Sequence, residues 1–494
     1  MTLVQNFPAF CILLTLVSAV VTSVLRRRSA AILTGVVLVI NLVLNVMTLV
    51  YTLQTGESYV YRMGHFPAPW GNELRVGVLE TGTAVVLLLV VLFSYLGAYR
   101  RSSQRIEPTK YNLYGVMVEL CVLSLLALIY TNDLFTAYVF IEISTLAAAG
   151  LIMAKQTGSS LVAGVRYMIM NLLGSSLFLL GVVILYSITG HLLMSPIHDA
   201  VAQLAANREY RIPLDVTVAL ISVGLGMKSA LYPFEKWVPA AYSNATTTSS
   251  ALLSSVVSKG YIFLLIKIYV RTIGLPVIEA LGITDVMFVF GAAGMIMGSV
   301  AAIRAKTVRM MIAYSSVAQI GYIFLAIGLG TMDGLMVALW HLLAHAATKS
   351  MLFISSAEMD EAAGGTHLRK DVRGAFYRTP LAAFAFSLGA VNLVGLPLLS
   401  VFVTKLMMGQ TAVAVGGRHM IITLICLAVS TLLNLGYFMS TAMSLYVHEG
   451  DTVRRKPDHL VRVSLAGFLI LNLALGLCAG PIYQMFLSGF SVFG

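Results

Sequence analysis

Ionisable side chains inside apolar runs are the first chemistry this sequence offers. Lys228 stands in ISVGLGMKSALYP, Lys259 in SSVVSKGYIFLLI and Lys405 in LSVFVTKLMM. Glu142 stands in LFTAYVFIEISTLAAAG, and Glu119 in YGVMVELCVLSLL, nearer a helix end. His341, His345 and Lys349 are spaced four apart in LWHLLAHAATKSMLF, which sets them along one helix face. A charge at the centre of a membrane helix costs roughly 2.5–3.5 kcal/mol on insertion scales, and such residues mark ion pathways by default. Burial disfavours the charged form of acid and base alike, and an opposite charge nearby restores it. Glu142 is therefore expected to meet a lysine, Lys228. A purely structural ion pair could lock two helices, but buried pairs are poor stabilisers.

The histidine stripe resembles half of a metal site. No carboxylate or cysteine completes it at ligand spacing, and a cation at Lys349 opposes a metal. Histidine exchanges protons near neutral pH. A relay through Lys259, His341, His345 and Lys349, with water in the gaps, is the reading these residues favour over a purely structural one. Lys267 and Arg271 lie closer to a membrane face and are expected to snorkel.

The elements that must hold these groups are membrane helices. Of 494 residues, 59% are hydrophobic and 11% charged, far from the soluble range. Apolar runs of helix-spanning length recur along the chain. They are continuous, which excludes the short alternating strands of a β-barrel. About fourteen spans can be placed, centred near Thr15, Ile40, Leu88, Val122, Leu146, Leu177, Val223, Phe263, Ala293, Gly321, Leu343, Leu388, Leu432 and Leu471. The first run is followed by Arg26, Arg27 and Arg28 rather than a small-residue cleavage site, so it reads as a retained helix. The net charge of +11 comes mostly from short loops. Loops after odd-numbered spans hold most Lys and Arg, which puts them in the cytoplasm and both termini outside. That accounts for the charge without nucleic acid. The four cysteines stand singly, with no CxxC spacing, and imply no metal or cluster.

Two spans are broken. Pro233 interrupts the seventh and Gly395-Leu396-Pro397 the twelfth, each near a buried lysine, Lys228 and Lys405. Proline removes a backbone donor and kinks a helix. Paired breaks of this kind point to inverted repeats with sites at the breaks. Thr55–Arg75 and His191–Arg211 are expected to be surface hairpins or short amphipathic helices.

Taken as a set, FIEISTLAAAGL, GMKSALYPFEKWVP, SSVVSKGYIFLLIK, RMMIAYSSVAQIGYIFLA, HLLAHAATKSMLF and GLPLLSVFVTK resemble the antiporter-like subunits shared by respiratory complex I, Mrp-type Na+/H+ antiporters and membrane-bound hydrogenases. Length and the GHFPAPWG segment resemble the Mrp D-type subunit most. The resemblance implies an all-α polytopic fold of about fourteen helices with two inverted five-helix repeats and two broken helices. It divides the chain into helices 1–3 (1–110), a first repeat (111–272), a second repeat (273–449) and a last helix (450–494). It makes Glu142 and Lys228 the family's glutamate–lysine pair. Lys259 with His341 and His345 becomes the central relay, and Lys405 the terminal lysine. The chain departs from the family at Asn244–Thr248, where a proline-containing segment is usual, at Ala240, where an acid is usual, at the Glu235-Lys236 pair and at Val401 in place of a glycine.

The function implied is proton (or sodium) translocation within a multi-subunit assembly of the cell inner (cytoplasmic) membrane, with other membrane subunits as partners. The alternative is the pump module of a membrane-bound hydrogenase or complex I-like enzyme, docked to hydrogenase or dehydrogenase subunits. No flavin, nucleotide or cluster motif is present, so no cofactor, metal or catalytic site is expected in this chain. An independent organic-solute transporter fits a lateral row of bases poorly. A scaffold that had lost transport would be free to lose the lysines.

Overall fold

The computed structural model describes residues 3–66, 71–205, 210–365, 368–448 and 453–491. Helix takes up 84% of it, which makes this a polytopic all-α membrane protein. Twelve helices are long and apolar enough to cross a membrane. The sequence count of fourteen exceeds this by the two broken spans, whose halves are too short or too polar to qualify. The helices in order are α1 (Phe7–Val24), α2 (Arg27–Thr55), α3 (Val78–Arg105), α4 (Tyr111–Tyr130), α5 (Leu134–Met153) and α6 (Gly158–Thr189). A short surface helix α7 (Met194–Leu204) precedes the broken pair α8 (Arg211–Lys228) and α9 (Trp237–Asn244). Then come α10 (Thr247–Ile273), α11 (Ile283–Arg304), α12 (Val308–Gly328) and α13 (Met332–Ala362). The second broken pair is α14 (Pro380–Val394) and α15 (Ser400–Val415), followed by α16 (Gly417–Ser444), α17 (His459–Leu477) and α18 (Ala479–Ser491).

The polar segments become what their composition allows. Tyr59–Arg62 pairs antiparallel with Glu73–Val76 as a hairpin. α7 covers part of the second segment. Pro67–Trp70 of GHFPAPWG and residues 206–209 lie outside the described residues.

Lys259, His341, His345 and Lys349 sit on the innermost helices. The apolar window of α10 and that of α13 are each entirely buried inside the protein, whereas only 39% of the windows in α2, α6 and α17 is. The outer helices therefore present leucine and valine outward, and the inner two meet only protein. α13 packs against α3, α10, α12, α14, α15 and α17. Glycines permit close helix approach where α11 meets α12. A Cβ on Gly291 would lie 2.3 Å from the Leu325 nitrogen, and one on Gly321 2.4 Å from the Met295 nitrogen.

Basic loops gather on one face. Arg27 donates to the Ser103 carbonyl at 2.5 Å, Arg309 to Thr247 Oγ1 at 2.7 Å and Lys110 to Gln156 at 3.0 Å. There Arg101 pairs with Glu358 and, at 2.5 Å, with Glu361, which also holds Arg455 at 2.5 Å. The opposite face carries the hairpin, α7 and the Asp285–Arg418 pair.

Candidate functional site: a buried row of lysines and histidines

Lys228 is the last residue of α8, where the helix stops short of the basic face. Ala230 takes φ +64° there, a left-handed conformation that costs a non-glycine residue roughly 1–2 kcal/mol. Lys228 is fully buried. Its Nζ donates to Thr145 Oγ1 at 2.7 Å, Ser175 Oγ at 2.8 Å and the Asn171 carbonyl at 3.1 Å, and lies 5.0 Å from the Tyr261 ring centre. Close packing permits this cage, since a Cβ on Gly174 would lie 2.9 Å from Lys228 Cγ.

The expected direct contact with Glu142 is not made. Among the described residues Glu142 forms no ion pair within 4 Å, and its side chain is half-buried on the outer side of α5. Thr145, one turn on, reaches Lys228 first. The carboxylate still lies within Coulombic range of the ammonium.

α10 opens with a run of hydroxyls. Thr246, Thr247, Thr248, Ser249, Ser250, Ser254, Ser255 and Ser258 are all buried. The helix widens to a π-turn over Leu253–Val257, immediately before Lys259. Such turns inside helices are frequent at functional sites. Lys259 Nζ donates back to the Ser254 carbonyl and to Ser258 Oγ at 3.2 Å.

Across from Lys259, α13 presents its stripe. His341 and His345 stack with ring centres 6.1 Å apart and planes 12° apart. Tyr322 of α12 stacks on His341 at 5.4 Å. His341 Nδ1 lies 3.2 Å from Thr404 Oγ1. His341 Nε2 and both nitrogens of His345 find no hydrogen-bond partner among the described residues. Lys349 turns aside to the Ser315 hydroxyl and to the Ile312 carbonyl at 3.0 Å.

At the second break Gly395 and Leu398 take φ +88° and +71°. Lys405, five residues into α15, reaches back over the break. It donates to the freed Val394 carbonyl at 2.6 Å and to Thr431 Oγ1 at 2.7 Å, and sits 5.7 Å from the Tyr322 ring centre. The two breaks are thus used differently. The lysine ends the first half-helix in one and begins the second half-helix in the other.

Lys228 sits over the ring of Tyr261, two residues beyond Lys259 on α10. The charges of Lys259 and Lys349 reach both histidines, and that of Lys405 reaches His341. The chemistry available is proton transfer between nitrogens through hydroxyls and water. Buried polar atoms without protein partners are ordinarily satisfied by water, and the open nitrogens of His341 and His345 fall between Lys259 and Lys405. Among the described residues no three His, Cys, Asp or Glu side chains come together as a metal-binding group.

Two expectations are corrected. Lys267 and Arg271 do not snorkel. Lys267 is fully buried and donates to the carbonyls of Thr131 and, at 2.8 Å, Ile129, the open end of α4. Arg271 pairs with Glu80 at 2.6 Å, both side chains 1% exposed. Closeness to a helix end said nothing about the neighbours packed over it. The cysteines are buried as small side chains except Cys478, which is exposed.

A family model described as "NADH:quinone oxidoreductase/Mrp antiporter, TM" matches residues 131–433, more than half of the chain. The chain belongs to that family. It is 32% identical to the N-type subunit of the NADH-quinone oxidoreductase of Desulforudis audaxviator, over 90% of this chain and 87% of that one. It is 26% identical to the D-type subunit of the Na(+)/H(+) antiporter of Alkalihalophilus pseudofirmus, over 92% and 90%. A chain of the Mrp complex from Dietzia sp. has the same fold, with a TM-score of 0.85, 22% identity and coverage of 100% and 97%. So does a chain of an archaeal membrane-bound sulfane sulfur reductase, with a TM-score of 0.86, 24% identity and coverage of 98% and 97%. The matched region holds both breaks and every residue of the row.

Proposed function

We propose that this chain is a proton-translocating, antiporter-like subunit of a multi-subunit membrane complex. Protons would pass along Lys228, Lys259, His345, His341 and Lys405. The observation that carries this reading is the row itself: the buried ammonium groups of Lys228 and Lys259, the half-buried one of Lys405 and two stacked imidazoles, with no carboxylate within 4 Å of them among the described residues. Maintaining five such groups in oil is costly unless they work. The hydroxyl run Thr246–Ser258 supplies a polar route from the basic face to Lys259. Lys405 supplies the far end.

Each lysine holds its proton best when Glu142 or another acid is near and ionised, and releases it when that charge is withdrawn or neutralised. A cycle of charge approach and withdrawal therefore moves protons along the row. Counting each broken pair as one span gives fourteen crossings and two five-helix units, α4–α10 and α11–α16. The gathering of basic loops supports a cytoplasmic basic face.

A redox-driven assembly is the second reading, favoured by the identity to a subunit named for NADH:quinone oxidoreduction. Partner subunits would then carry the redox chemistry. Purifying the intact complex and measuring proton and sodium movement in vesicles tests the proposal. Ala in place of Lys228, Lys259 or Lys405 should abolish ion movement while assembly survives. Full transport by these variants contradicts it.

A further inference from the structure

Glu119 takes no part in the row, yet it is as deeply buried as Lys228 and Lys259. α4 carries it into the seam with α1 and α2. Its Oε1 accepts from Thr22 Oγ1 at 3.0 Å and Thr34 Oγ1 at 2.6 Å, and its Oε2 from Ser18 Oγ at 2.9 Å. No lysine, arginine or histidine nitrogen lies within 4 Å of it among the described residues. Gly115, one turn earlier, lets the three helices close over the carboxyl. A Cβ there would meet Thr22 Cγ2 at 3.0 Å and Thr34 Oγ1 at 3.3 Å. A bare carboxylate in such a place is costly unless a cation neutralises it.

Ser18 indicates which cation. Its hydroxyl lies 2.9 Å from Glu119 Oε2 and 3.0 Å from the Thr15 carbonyl oxygen. With the carboxylate charged, Ser18 donates to Oε2. With a proton on Oε2, the carboxyl donates to Ser18 Oγ, and Ser18 turns its hydrogen to the Thr15 carbonyl. Oε1 keeps both threonine donors throughout. One hydroxyl rotation satisfies both forms with no heavy atom moved. The 2.6–3.0 Å separations are those of hydrogen bonds.

We propose that Glu119, caged by Ser18, Thr22 and Thr34, is a proton-binding site separate from the central row. It takes up one proton from water at the basic face and returns it there, forming and breaking only the Oε2–H bond. Glu119 lies eight residues into α4, about 12 Å below that face at the helical rise. Among the described residues, the titratable and charged groups around the cage include Arg27 on α2, Tyr95 on α3, and Tyr111, Tyr114 and Cys121 on α4. α1 carries none except Cys11. Arg27 is held at the rim, 5.6 Å from the Tyr111 ring centre. The site stands whether or not the central row carries protons.

Glu119→Gln keeps the cage. The amide oxygen serves both threonines and the amide N–H donates to Ser18, as the protonated acid would. Infrared difference spectra of the reconstituted intact complex across a pH step read the carboxyl itself. The expected result is a protonated-carboxyl C=O band in the wild type that is absent in Glu119→Gln, with assembly unchanged. Thr34→Val, which removes the shortest bond, should move that band and its pH midpoint. An unchanged spectrum in Glu119→Gln overturns the proposal, as does a band insensitive to Thr34→Val. Loss of the band on adding sodium at fixed pH also overturns it, in favour of a metal-cation site. Failure of the row would instead show as transport surviving Lys259→Ala, with the Glu119 band present.

Discussion

Lys228→Met should slow ion movement roughly 10²-fold and leave the protein as stable as before, or more so. The ammonium makes three hydrogen bonds, but none of its partners depends on it. Thr145 also donates to the Ile141 carbonyl at 2.9 Å, and Ser175 to the Asn171 carbonyl at 3.1 Å. Methionine fills similar volume and orphans no polar atom. Removing the lysine also removes a desolvation penalty of several kcal/mol. Replacing buried ionic groups by apolar ones of similar size is often neutral or stabilising by about 1–4 kcal/mol, and the melting temperature of the purified complex should hold or rise accordingly. Transport should behave oppositely. A proton crossing the first break would lack a fixed base and meet a barrier of about 2.5–3.5 kcal/mol, the cost of a bare charge at this depth. That slows passage roughly 10²-fold. The assay is a fluorescent pH probe in vesicles holding the complex, with thermal unfolding run in parallel. A variant that melts several degrees lower while transporting at the wild-type rate per molecule would refute the reasoning and make Lys228 a structural tie.

Gly395→Ala should impair both properties. Its φ of +88° disfavours any Cβ, and that Cβ would lie 2.9 Å from Lys405 Cδ. A loss of about 1–2 kcal/mol with slowed transport is expected, against no change in Gly409→Ala, where nothing lies within 4 Å. Arg101→Gln strands the buried Glu358, whose side chain is 3% exposed. It should lower stability by about 3–5 kcal/mol and reduce the yield of assembled complex on a native gel. Burial, with Arg309 and Arg105 nearby, pushes the Lys155 ammonium down to about 7. A lysine penalised when charged weakens the fold as pH falls from its ordinary value near 10.4 toward 7. Lys155→Met should therefore raise the melting temperature at pH 6 and make no difference above about pH 10.5, as read by scanning fluorimetry.

The sequence made the row's members legible because charge inside an apolar run is conspicuous, and it showed the breaks because Pro233, Gly395 and Pro397 are. What it left open was partnership. Glu142 and Lys228 were expected to touch because opposite charges in oil should. Thr145 lies one turn from Glu142 on α5, and a threonine in an apolar run carries no such signal. Lys267 and Arg271 misled because distance to a helix end was read as distance to water, while Glu80 and the open end of α4 were waiting inside. Only Asn244–Thr248, at the start of the hydroxyl run, stood out as a departure from the family pattern; the burial of the run through Ser258 is what marks it as a route. The cage around Glu119 could have been suspected from polar residues at helical spacing, Thr15, Ser18 and Thr22 on α1, inside an otherwise apolar helix.

The central claim is that protons cross between Lys259 and Lys405 through the two histidines, and water is the measurable link. A map of the intact complex that resolves ordered water tests it most directly. The account predicts water bonded to His341 Nε2 and to both nitrogens of His345, continuous from Lys259 to Lys405. Histidines sealed by apolar side chains, with no water on any of those three nitrogens, would contradict it.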